Sequence, residues 1–136
     1  MKRLLVLITV AVGLCLFPAC KKGSSNPSTS EANLDVVTTP ANGTFQSPSI
    51  EPFILTVEVK SAMPAGGVKI DVSAKKDDGS GSAPFFTDSR TTTSALTTFT
   101  ITNTPVGVQC IVEIKVTSLS KSSNQWTGSY HYSRKS

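Results

Sequence analysis

The sequence predicts an all-β fold, a sandwich of about seven short antiparallel strands in two packed sheets. Three observations lead there. Beyond residue 33, apolar and polar residues alternate with a period of two in run after run. Clusters of Gly, Pro, Asp, Asn and Ser separate the runs. No stretch after the first twenty residues repeats its apolar positions at helical spacing.

The elements follow in order. A short, weak strand is expected at 34–38. In "PFILTVEVK", Phe53, Leu55, Val57 and Val59 share one face, against Ile54, Thr56, Glu58 and Lys60. In "VKIDVSAKK", Val68, Ile70, Val72 and Ala74 oppose Lys69, Asp71, Ser73 and Lys75. A second weak strand is expected at 85–89, and "TFTIT" turns Phe99 and Ile101 inward. In "CIVEIKVTS", Cys110, Val112, Ile114 and Val116 alternate with Ile111, Glu113, Lys115 and Thr117. The last strand, 125–133, sets Trp126, Gly128, Tyr130 and Tyr132 on one face and His131 on the other. One polar face per strand is the pattern of antiparallel sheets buried on one side. The turns "SAMPAGG", "DDGSGS", "NTPVG" and "SKSSN" supply positive φ, preset φ and side chains that bond their own backbone.

The stretch "LTTFTITNTPVGVQCIVEIKVTS" resembles the part of fibronectin type III and related immunoglobulin-like domains where one strand passes through a Pro-x-Gly turn into a long alternating strand. The resemblance implies an immunoglobulin-like sandwich over 34–136. Cys110 departs from it, standing where such domains carry the tyrosine that pins the corner.

Ahead of this domain, Lys2 and Arg3 precede an uncharged run from Leu4 to Cys20. That run is short of the roughly 20 apolar residues a spanning helix needs, so it reads as a removable export signal over 1–19. Its end, Phe17-Pro18-Ala19-Cys20, resembles the lipobox of bacterial lipoproteins. The resemblance implies a diacylglycerol thioether on Cys20, which becomes the mature N-terminus and anchors the chain to a membrane. Lys21 and Lys22 then lie at headgroup level, and Ser, Pro, Thr and Asn up to residue 33 read as a flexible tether. Such a tether before a small sandwich resembles lipoproteins of the Bacteroidota. With Lys21 where an inner-membrane retention signal would place Asp, the outer membrane is the expected address.

The formal charge of +4 drops by two when Lys2 and Arg3 leave with the signal, too little for a nucleic-acid partner. Of three cysteines, the resemblance implies that Cys15 leaves with the signal and Cys20 carries lipid, so Cys110 is expected as an inward thiol with no intrachain disulfide.

Catalytic patterns are missing from the sequence. His131, the only histidine, has no base or orienting partner at motif spacing. Asp77-Asp78-Gly79 reads as a hairpin turn, since the spread of acids of a calcium loop is absent. The expectation is therefore not an enzyme, with no metal and no cofactor other than the lipid on Cys20. Phe85, Phe86, Trp126, Tyr130 and Tyr132 are the candidate binding residues: they either stack on a sugar or fill a partner's pocket, or else close the core. The expected function is a membrane-anchored noncatalytic lipoprotein in protein interaction or envelope organisation; the alternative is a glycan-binding accessory lipoprotein.

Overall fold

The computed structural model describes residues 30–136; the signal segment, Cys20 and the chain up to residue 29 lie outside them. Seven strands form: β1 (Val36–Thr39), β2 (Phe53–Val59), β3 (Val68–Lys76), β4 (Phe86–Thr92), β5 (Leu96–Ile101), β6 (Gln109–Ser118) and β7 (Gln125–Ser133). They make two antiparallel sheets, β1-β2-β5 and β4-β3-β6-β7, and no helix occurs among the described residues. Their inner faces meet in one core. Leu55, Val57, Phe99 and Ile101 come from the smaller sheet, and Val68, Ile70, Val72, Val112, Val116, Tyr130 and Tyr132 from the larger.

Alternation explains most of these bounds. In β3 and β6 every second side chain is buried, because the inner face loses its water to the opposite sheet while the outer face keeps it. At β4 the alternation fails. This strand runs to Thr92, beyond the predicted Ser89, and turns Asp88 and Arg90 toward the side that its neighbours fill with apolar groups. Arg90 is accommodated there by three contacts. Its guanidinium lies 4.6 Å from the centre of the Phe99 ring, Nη1 donates to the Thr98 carbonyl at 2.9 Å, and Nη2 pairs with Asp88 at 2.7 Å. One side chain thus ties the edge of one sheet to the edge of the other.

The outer edge of β7 is closed by a segment without strand periodicity. Residues 42–49 run parallel to β7: Gly43 N–H donates to the Ser129 carbonyl, His131 N–H to Thr44, Gln46 N–H to His131, and Ser49 N–H to Ser133. This strap removes a row of unpaired backbone groups from solvent.

Both ends of the sandwich are locked by polar side chains. At the corner before β6, Cys110 is fully buried, and the residue opposite it on β7 is Tyr132. The Tyr132 hydroxyl lies 3.0 Å from Thr104 Oγ1, so the pin that Cys110 does not supply comes from the neighbouring strand. Glu51 and Arg134 complete this corner, the first accepting from Thr104 N–H at 2.6 Å, the second donating to its carbonyl at 3.0 Å. At the other end, Asn124 in the β6–β7 turn accepts from Leu34 N–H at 2.9 Å and donates to Glu31 Oε1 and the Ala32 carbonyl. The chain is therefore held against the domain from Glu31 onward.

Candidate functional site

The outer face of the four-stranded sheet carries an open groove of about 760 Å³. Register builds it. One cross-strand row is Ser89, Asp71, Lys115 and Thr127; the next is Thr87, Ser73, Glu113 and Ser129. The backbone of Val72, Ile114 and Gly128 forms the floor, because the side chains of that row face the core. Asn42 from the strap closes the β7 end, its Oδ1 accepting from Ser129 N–H at 2.9 Å.

The charges of the groove are largely matched. Lys69 pairs with Asp71 at 3.0 Å, and Lys75 with Glu113 at 2.9 Å. Partial burial works against the Asp71 carboxylate, but a 2.7 Å hydrogen bond from Ser89 Oγ and the neighbouring Lys69 outweigh it and hold the carboxyl below its ordinary value. An acid held so is an acceptor at neutral pH, not a proton donor. Lys115 forms no ion pair with any described residue. The arrangement can exchange hydrogen bonds with a polar ligand along its length.

Next to the groove, His131 Nε2 stands 3.2 Å from Asp77 Oδ2, while its Nδ1 is buried with no partner among the described residues. In nucleophilic catalysis by a His–Asp pair, the second imidazole nitrogen bonds a side-chain nucleophile. None bonds to it here; instead the ring is stacked under Phe45, at 4.2 Å and 5°. Among the described residues, no group of three His, Cys, Asp or Glu side chains is placed to hold a metal ion, and no helix is long and apolar enough to cross a membrane.

The five candidate aromatics all pack on the core. Tyr130 and Tyr132 are each 1% exposed, and Phe85, Phe86 and Trp126 are half-buried against the same cluster. They do not form an exposed platform. The space beside Gly128 is filled by the Trp126 ring. The aromatic that reaches solvent is Phe45, 73% exposed, which sequence reasoning passed over. Its signal was available: a lone aromatic in the loop "NGTFQS", outside any alternating run.

Cys110 Sγ is fully buried, and burial pushes its thiol pKa up. Native protein should therefore react slowly with a thiol reagent at this residue and quickly after denaturation; rapid native labelling at Cys110, read by peptide mass spectrometry, would contradict the register of β6.

The chain matches no protein-family model and no curated protein.

Proposed function

We propose that the protein is a noncatalytic lipoprotein, anchored in the bacterial envelope through lipid on Cys20 and favouring the outer membrane, whose sandwich engages another envelope protein. The observation that carries the anchor is the run from Lys2 to Cys20, with Ala19 before the cysteine. One acyl chain holds a protein only marginally, whereas the two or three that such a cysteine carries hold it firmly. Support for a binding role comes from the groove, where hydroxyls and paired carboxylates converge on one open face. The clamp at Asn124 brings the chain to the domain at the β6–β7 turn, which leaves the opposite end, with Phe45 and the β3–β4 hairpin, clear of the tether for a partner.

A second reading, glycan binding, is favoured by the same row of hydroxyl and carboxylate groups, which suits a polyol. It lacks the exposed aromatic set that sugar stacking uses, since the tyrosines are internal.

The anchor is tested on the full-length chain in a bacterial host. Wild type should partition with membranes and yield a mature N-terminal Cys20 with thioether lipid, and Cys20→Ala should lose both. An unmodified Cys20 would remove the basis for the envelope address. A glycan array probed with the same protein separates the two binding readings: a specific oligosaccharide signal supports the second, and its absence leaves the first.

A further inference from the structure

We propose that β4 is a self-association edge, and that its occupant is β4 of a second copy of this chain, paired antiparallel about a two-fold axis through Ser89. The inference rests on the fold alone and stands whether or not the reading of Cys20 is right.

The sandwich has four edges, and they are not equally protected. The strap 42–49 covers β7, β1 is only four residues long, and on β5 the Thr98 carbonyl is taken by Arg90. β4 is seven residues long, contains neither Pro nor Gly, and borders no other strand or strap on its far side among the described residues. Its backbone groups on that side form a template for another strand.

The sequence of the edge says which strand fits. β4 reads Thr87-Asp88-Ser89-Arg90-Thr91 at its centre, with opposite charges placed symmetrically about Ser89. Antiparallel pairing of two copies about that residue sets each Asp88 opposite the other copy's Arg90 and each Thr87 opposite the other's Thr91. Opposite charges and paired threonines across neighbouring strands are favourable, and like charges are not. Shifting the axis to Asp88 or to Arg90 would set like charges face to face. Shifting it by half a residue would turn the core face of one copy toward solvent. One register therefore satisfies both charges and both faces. An edge with charges of one sign would repel its own copy, whereas this edge complements it.

The resulting contact is isologous and closed, as two-fold interfaces are. It joins two four-stranded sheets into one of eight strands. Thr87 and Ser89 form the lip of the groove at β4, so the two grooves become continuous across the axis.

The test uses the full-length chain carrying Ser89→Cys. Paired residues on the axis bring their Cα atoms to about 4.5–5.5 Å, within the range a disulfide bridges. Mild oxidation should give a dimer band on a non-reducing gel that is absent from wild type and from Thr127→Cys at the opposite edge. Adding Asp88→Arg or Arg90→Asp to Ser89→Cys should abolish the band in each variant alone. Co-expressing the two should restore it, because two cations then face two anions; this recovery also establishes that both variants fold. No dimer from Ser89→Cys, a dimer indifferent to the charge changes, or no recovery on co-expression would each overturn the proposal.

Discussion

Tyr130→Ala should lower the unfolding free energy by about 3–5 kcal/mol, the range for truncating a fully buried aromatic ring. Tyr130 sits in the middle of β7, opposite Val112, and is 1% exposed in a core fed by both sheets. Its ring approaches Tyr132 at 5.9 Å, and Tyr132 meets Phe53 of the other sheet edge-on at 4.6 Å. Removing the ring leaves a cavity at the junction of the sheets. A second substitution separates ring from hydroxyl. The Tyr130 hydroxyl is buried with no partner among the described residues, and burial drives its pKa well above the ordinary tyrosine value. Tyr130→Phe removes an unpaired polar atom and should cost nothing or stabilise by up to about 1 kcal/mol. Tyr132→Phe loses the bond to Thr104 and should destabilise by a similar amount. Denaturant unfolding of the three variants measures this; a loss at Tyr130→Ala under about 1 kcal/mol would mean that the β7 tyrosines are surface residues available to a ligand.

The contrast between these residues and the strap explains how far the sequence could be read. β3 and β7 occupy the residues expected for them because their alternation is strict, and one inward face with one outward face fixes register and extent together. The sequence pattern ends β4 at Ser89 because Arg90, Thr91 and Thr92 are polar on both faces. An edge strand half in water needs no apolar period, and Arg90 occupies its inward position through contacts made by β5. The strap escaped notice for a different reason: it is held by backbone bonds to a strand more than eighty residues later, and such pairing leaves no trace in side-chain pattern. Phe45 and Asn42 belong to it, which is why the exposed aromatic and one wall of the groove were not foreseen. The groove itself was half legible. Its residues are the polar positions of the predicted strands, but only the strand order sets Asp71 between Ser89 and Lys115.

Gly128→Ala should destabilise by about 1–3 kcal/mol, the usual cost of overpacking, although the residue lies in a strand where glycine is ordinarily the poorer choice. Its backbone is not in the left-handed region, so space selects glycine here. A Cβ at this position would collide with Cη2 of Trp126 and lie 2.9 Å from Cζ2 and Cζ3. The benzo end of the indole therefore rests against the glycine, two residues along the same strand, and packs on the core beside Ile114. An added methyl must push the whole ring off, exposing indole to water and uncovering the core beneath. Tryptophan emission, from the chain's single Trp, should shift to the red as stability falls. The pair can be tested as a cycle, because the clash exists only while the ring is present. Trp126→Ala alone should be strongly destabilising, but Gly128→Ala introduced into that background should be neutral or should stabilise by roughly 0.5–1 kcal/mol, as expected for replacing a strand glycine where there is room. The sign of the Gly128→Ala effect thus reports on Trp126. If the substitution costs the same in both backgrounds, the ring does not rest on Gly128, and Trp126 is free to turn outward toward a ligand.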